Sequence, residues 1–120
     1  MLGDSIIYRF DGPLIFANAN TFRDEVLGFT ASASGPVWVI VAAEPITDID
    51  TTACDMLEDL VPDLERQGHH LVFAELKHPV KVKLLQYGLQ DAIPQDRFYP
   101  TVEAAVADCV SRTGARWEVR

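Results

Sequence analysis

The sequence predicts an α/β fold, a mixed sheet of four to five strands with four helices packed against it. Apolar, β-branched segments alternate with amphipathic segments, an order typical of strands connected by helices. The strongest strand signal, Val37–Ala42, is continuously apolar, as in strands covered on both faces. A length of 120 residues with 48% hydrophobic content suits one domain with its own core. We therefore expect residues 1–120 to form a single domain with Val37–Ala42 as its most buried strand.

The first two strands are expected to form a hairpin at one edge of the sheet. Ser5–Phe10 is rich in β-formers, and Asp11-Gly12-Pro13 is a turn signal. Leu14–Phe16 then provides a short second strand. An antiparallel hairpin beside parallel strands makes the predicted sheet mixed.

Apolar stripes at helical spacing predict four helices. The first runs from Asn18, a candidate N-cap, to Gly28. The second runs from Thr51 to Gln67, where Pro62 is expected to kink or split it and Leu60 faces the core. The remaining predicted elements are strands at 70–75 and 97–99 and helices at 79–87 and 101–112.

Composition excludes several classes of function. A net charge of -8 argues against nucleic acid and anionic membrane surfaces as partners. The longest apolar run, Pro36–Ala43, is far shorter than the roughly 20 residues of a membrane span. The sequence lacks GxGxxG, GxxxxGK[ST] and GxSxG motifs, so we expect neither a common nucleotide fold nor catalysis. A start with Asp4 and no basic segment does not resemble a signal peptide.

Cysteines and histidines are interpreted as structural. Cys54 and Cys109 fall on the apolar stripes of two different helices, which favours buried thiols in a reducing compartment, with one disulfide as the alternative. His69 and His70 are adjacent in the chain, so in a strand their side chains point to opposite faces. With His78, they lack a Cys or carboxylate at ligand spacing, and we expect no metal site.

A candidate site follows the central strand. Asp48 and Asp50 lie in the loop at the carboxyl end of Val37–Ala42, where open α/β sheets bind ligands. Thr51 and Thr52 begin the next helix, so Asp50 is either a capping carboxylate or part of a contact site. A phosphate on a threonine there is favoured by free helix N–H groups and opposed by Asp50.

Two charged surfaces could contact partners, although ordinary solubility explains both as well. The second helix directs four acidic residues outward: Asp55, Glu58, Asp59 and Asp63. The third helix opens with a positive patch: Lys77, Lys81 and Lys83.

Together, these elements and motifs resemble the STAS domain of sulfate transporters and anti-sigma factor antagonists. The stretch Tyr8–Ala19 (YRFDGPLIFANA) is similar to the opening of that domain in SulP-type anion permeases. Asp48–Ala53 (DIDTTA) resembles the helix start that follows the family's central strand. The strand at His70–Ala74 and the helix from Thr101 fit as well, so the resemblance covers essentially the whole chain.

Two departures separate the transporter type from the anti-sigma type. Antagonists usually carry Asp where this chain has Ile15, and Ser followed by Gly where it has Thr52 and Ala53. The resemblance therefore favours a non-catalytic regulatory domain from a longer sulfate (anion) transporter, on the cytoplasmic side of the cell membrane. Its implied partners are the transmembrane domain of its own transporter and other regulatory proteins. A free-standing antagonist phosphorylated at Thr51 or Thr52 remains the alternative.

The resemblance also implies weak binding of GTP or ATP, with no cofactor required. Free N–H groups at helix starts attract phosphate, and without a Walker loop the affinity would be low. The residues expected near such a nucleotide are Asn18, Asp48, Asp50, Thr51 and Thr52.

Overall fold

A computed structural model describes residues 4–113 and 116–119, in which strands and helices alternate. The strands are β1 (Asp4–Arg9), β2 (Val37–Ala42), β3 (His70–Ala74), β4 (Phe98–Tyr99) and β5 (Arg116–Val119). The helices are α1 (Ala19–Ala31), α2 (Thr51–Arg66), α3 (His78–Gln86) and α4 (Val102–Thr113). The predicted α/β class, with its strand and helix numbers, is confirmed.

The sheet has the strand order β4-β3-β2-β1-β5, and its described pairings are all parallel, in place of the predicted mixed pairing. β2 lies at the centre, with Val39 opposite Ile6 of β1 and Leu71 of β3. Five of its six residues are buried, and Val39 and Val41 are fully inaccessible to solvent. This confirms that the continuously apolar run is the most enclosed strand.

The helices cover the sheet unequally. α1, α2 and α3 share one face, over a large core that includes Phe22, Leu60 and Leu84. α4 packs on the other face over a smaller core built around Trp38 and Ile40. No helix among the described residues is both long enough and apolar enough to cross a membrane.

The two cysteines are buried in separate cores. Cys54 belongs to the three-helix side and Cys109 to the α4 side, so the sheet lies between them. Cysteines joined by a disulfide have Cα atoms within about 7 Å of each other. Because the sheet separates Cys54 from Cys109, a disulfide between them is ruled out. The interpretation of both as core thiols is confirmed.

The predicted N-terminal hairpin is wrong. Leu14 makes only a single parallel bridge to Ile49, because its N–H donates to the Asp48 carbonyl at 2.9 Å and its carbonyl accepts from Asp50 N at 3.3 Å. The loop after β1 therefore pairs with the loop after β2 and cannot fold back on β1. Gly12, at φ 106°, allows the sharp change of direction.

The predicted edge position of β1 is also wrong. β5 pairs with β1 on its outer side, with Ile7 opposite Val119. β5 follows the last predicted helix, and no strand was predicted after that helix. β1 is consequently an interior strand, and β4 and β5 are the edges.

Helix boundaries agree with prediction except in two details. α1 continues past Gly28 to Ala31, and α2 is not split at Pro62. On both sides of Pro62 the apolar face of α2 is buried, at Leu60 and Leu64. That packing holds the helix together despite the backbone hydrogen bond that proline removes.

Candidate functional site

Asp50 joins the first two loops at the carboxyl edge of the sheet. One carboxylate oxygen, Oδ1, accepts from the N–H of Ala53 at 2.9 Å and so caps α2. The other, Oδ2, accepts from the N–H of Phe16 at 2.8 Å. The carboxylate is thus both the predicted cap and a tie to a segment 34 residues away.

Asn18 stabilises the same loop through side-chain hydrogen bonds to the loop backbone. Its Oδ1 accepts from the N–H of Ile15 at 2.9 Å, and its Nδ2 donates to the carbonyl of Pro13 at 2.9 Å. Asn18 precedes α1 but makes no side-chain hydrogen bond to it, so the predicted capping role is wrong. The side chain is used to close the Pro13–Asn18 turn instead, a local bonding pattern to which Asn is suited.

Phe16 lies at the tip of this braced segment. Its side chain faces solvent, with 71% of the residue exposed, while Leu14 two positions earlier is buried. The sequence prediction placed Phe16 in a strand and missed this exposure. The hydrogen bond that fixes Phe16 is accepted by a residue 34 positions away, so no local sequence pattern predicts this arrangement.

Asp48 is held at the same edge by α3. Its Oδ1 accepts from the Nζ of Lys83 and from the N–H of Ile49. These two hydrogen bonds, the one from Lys83 being the larger cause, lower the pKa of the Asp48 carboxyl below its usual range. Lys83 is therefore an internal partner of the candidate site.

The five predicted site residues come together at this edge: Asn18, Asp48, Asp50, Thr51 and Thr52. Both threonines are exposed on the first turn of α2. Cys54 lies beneath that turn, and burial, reinforced by Asp50, raises its thiol pKa to about 12. The thiol therefore stays protonated at neutral pH and is a packing group, and the edge offers hydroxyls and carboxylates for contact.

The predicted acidic surface is present on α2. Asp55, Glu58 and Asp59 are exposed, whereas Asp63 is half-buried and pairs with Arg66, their Oδ1 and Nη2 atoms 3.1 Å apart. The acidic face thus runs from the helix start and is neutralised at its far end.

The predicted positive patch is largely occupied by contacts within the domain. Lys77 Nζ lies 3.6 Å from an oxygen of Glu44, and Lys81 Nζ lies 4.7 Å from the ring centroid of Phe98. Lys83 pairs with Asp48, as described above. The acidic face of α2 is therefore the more available of the two charged surfaces.

A polar cluster near the amino ends of β3 and β4, opposite the carboxyl edge of the sheet, was not predicted. Glu65 accepts two hydrogen bonds from Arg97, at 2.8 and 3.2 Å, and lies 2.8 Å from Nδ1 of His70. Burial opposes the charge of Glu65, but these bonds outweigh it and lower its pKa. The His70 ring also meets Trp38 edge-on, with centroids 5.0 Å apart. The cluster ties α2, β3 and the turn before β4 together.

His69 has a different structural role. Its Nδ1 accepts from the N–H of Val37 at 3.0 Å, which satisfies the first backbone donor of β2. Burial, and then the neighbouring His70, lower the His69 pKa and so favour the neutral ring. Within the described part of the chain, no group of three His, Cys, Asp or Glu residues is arranged to hold a metal ion.

Comparison with known proteins identifies the family. The model of the STAS domain family matches residues 2–105, which is most of the chain. A probable sulfate transporter of Mycobacterium tuberculosis strain H37Rv is 35% identical over 102 residues, 84% of this chain. Sulfate transporter 1.3 of Arabidopsis thaliana is 31% identical over 110 residues, also 84% of this chain. The matches span only 18% and 17% of those two relatives.

Solved structures share the fold. The STAS domain of a SulP transporter from Vibrio cholerae superposes with a TM-score of 0.71 at 23% identity, covering 91% of this chain and 83% of that one. The murine Slc26a9 anion transporter gives 0.76 at 19% identity, covering 92% of this chain and 18% of that one. A Thermotoga maritima protein described as a "putative anti-sigma factor antagonist" gives 0.68 at 14% identity, covering 87% and 86%.

Proposed function

Because the chain belongs to the STAS domain family, we propose that it is the cytoplasmic regulatory domain of a sulfate or related anion transporter. In this role the domain catalyses no reaction and acts by contact with the transmembrane domain of its own transporter. The edge described above offers exposed hydroxyls, carboxylates and an aromatic side chain, which suit contact with another protein surface.

The observation that carries the proposal is the identity to transporter sequences. Both relatives reported above are sulfate transporters by name, and each aligns with 84% of this chain over less than a fifth of its own length. The departures at Ile15, Thr52 and Ala53 point the same way, because they replace residues typical of the phosphorylation switch.

Sulfate uptake by the complete polypeptide tests the proposal. The open reading frame that contains this chain is expressed in a host lacking its own sulfate uptake, and labelled sulfate entry is measured. We expect uptake that requires both the membrane-spanning part and residues 1–120. A reading frame without membrane-spanning segments, or uptake unaffected by removal of the domain, contradicts the proposal.

A free-standing antagonist switched by phosphorylation is the second candidate. One observation favours it: Thr51 and Thr52 are exposed at a helix start, where a kinase can reach them. Phosphopeptide mass spectrometry of the protein isolated from its cells tests this function, with Thr52→Ala as the variant. Phosphate on Thr52 in a chain lacking membrane segments favours this candidate over the first.

A further inference from the structure

Phe16 is the most exposed large hydrophobic residue among those described. It is 71% accessible, whereas Leu85, Tyr87 and Val110 are each near 40%. Scattered apolar residues on a surface need no explanation, but this one lies on a segment that the fold holds in place.

The segment is fixed by bonds from both sides. The Phe16 N–H is bound by Asp50, and the Asn18 side chain bonds to Ile15 and Pro13. Ordering a loop on binding costs affinity, and here the fold has already ordered it. An exposed aromatic side chain on a backbone held in this way has the properties of an interface anchor, since such anchors are often aromatic residues that fill a partner's pocket.

The helix to which Phe16 is tied indicates the chemistry of its partner. Asp50 links it to the first turn of α2, from which Asp55, Glu58 and Asp59 continue as an exposed acidic face. A complementary surface has an apolar pocket beside basic side chains. A membrane is the weaker match, because the chain carries a net charge of -8 and a single apolar insertion without a basic patch anchors poorly.

We propose that Phe16 inserts into an apolar pocket, with basic residues at its rim, on the cytoplasmic surface of the membrane domain of the same transporter. This inference rests on the proposed function and gives it a docking residue. The braced segment sets the orientation of the domain, and the acidic face of α2 lies against the basic rim.

Site-specific photocrosslinking in the complete polypeptide tests this inference. A photoreactive phenylalanine analogue replaces Phe16, and in a matched control it replaces Val110, which is exposed on α4 across the sheet. We expect crosslinks from position 16 to peptides of the membrane domain, with a yield above that of the control, as an anchor at an interface centre implies. Crosslinks only to lipid, to a second copy of the domain, or at the control yield overturn the inference.

Phe16→Ala provides a second readout. Because the side chain is exposed, the isolated 120-residue chain should keep its melting temperature, while sulfate uptake by the complete polypeptide falls. Val110→Ala should leave uptake unchanged. If the reading frame encodes no membrane domain, the proposed function fails. If it encodes one and Phe16→Ala does not change uptake, only the docking role of Phe16 fails.

Discussion

Asp50 shows how one residue can serve stability and surface shape together. Its Oδ1 caps α2 through Ala53, and its Oδ2 fixes the backbone of Phe16. The capping function alone could be inferred from its position before the helix. The second bond depends on the loop after β1 crossing over the start of α2, which is a tertiary feature. These two hydrogen bonds account for an aspartate at this position without any role in phosphorylation or phosphate binding.

Leu60 and Asp59 are adjacent residues with opposite environments. Leu60 is 2% exposed in the main core, and Asp59 faces solvent. Leu60→Ala should lower the free energy of unfolding by about 2–5 kcal/mol, through lost burial and the cavity left behind. Asp59→Ala should change it by no more than about 0.5 kcal/mol. Urea denaturation of both variants measures this, and equal midpoints would contradict the helix face assigned here.

His69 should make stability depend on pH. Its pKa is lowered in the folded protein, so the unfolded chain binds a proton first as the pH falls. The stability linked to neutral His69 is present above the unfolded pKa of about 6.5 and is lost as the pH falls through the lower folded pKa. Free energies of unfolding between about pH 8 and pH 5 should therefore decrease toward acid.

His69→Asn isolates that effect. The Asn Oδ1 can accept the Val37 N–H as the histidine Nδ1 does, but it does not titrate. The variant should match the parent protein near pH 8 and lose less stability toward acid. An unchanged pH slope in the variant would mean that groups other than His69 cause the dependence.

The regular elements follow from local patterns, whereas their order in the sheet does not. The continuous apolar run at Val37–Ala42 and the periodic apolar stripe of α2 were predicted because burial determines both patterns. The pairing of Leu14 with Ile49 and the addition of β5 beside β1 are contacts between distant segments. The Glu65–Arg97 pair likewise joins residues 32 positions apart. Spacing along the chain contains no signal for such contacts.

Helix starts at the carboxyl edge remain the predicted place for a nucleotide. The carboxylate of Asp50 already occupies the first turn of α2, and Asp48 lies beside it. We propose that GTP or ATP binds there with a dissociation constant between tens of micromolar and millimolar, a free energy of about 4–6 kcal/mol. Titration into labelled protein should shift amide resonances of Thr51 and Thr52. Shifts confined to another surface would refute the location, and no shifts would refute the binding.

Asp50→Asn is the informative variant for this test. It keeps one oxygen that can cap α2 and removes the negative charge that opposes phosphate, at the loss of the second oxygen, which accepts from the Phe16 N–H. Nucleotide affinity should increase if the binding site is at this helix start. An unchanged affinity would contradict the assignment even if the parent protein binds nucleotide.

Charge is distributed unevenly over the molecule as a whole. Lys77, just before α3, is paired with Glu44, and Lys83, in the last turn of α3, is paired with Asp48, so little positive charge remains available on that side. The acidic face of α2 retains Asp55, Glu58 and Asp59 in solvent. Hydrogen bonds of Asp50 hold the start of α2 at the carboxyl edge of the sheet, so the acidic face of α2 keeps a fixed position in the molecule. Such surfaces mainly set the orientation and rate of association, and salt weakens them.

Reversing part of this surface tests the proposed contact between the domain and a transporter. Cytoplasmic loops of membrane proteins carry an excess of Lys and Arg, so an acidic face is their natural complement. Glu58→Lys with Asp59→Lys should leave the isolated fold intact, since both side chains are exposed, but should reduce sulfate uptake by the complete polypeptide. Circular dichroism of the isolated chain and uptake in cells measure the two effects.

A matched double reversal separates this surface from net charge. Asp91→Lys with Glu103→Lys changes the total charge equally, and both residues are exposed outside α2. This control should transport as the parent protein does, because the charge facing the membrane domain is unchanged. If both pairs reduce uptake equally, the effect follows from total charge. If the α2 pair unfolds the domain or leaves uptake unchanged, the acidic face of α2 does not contact the transporter.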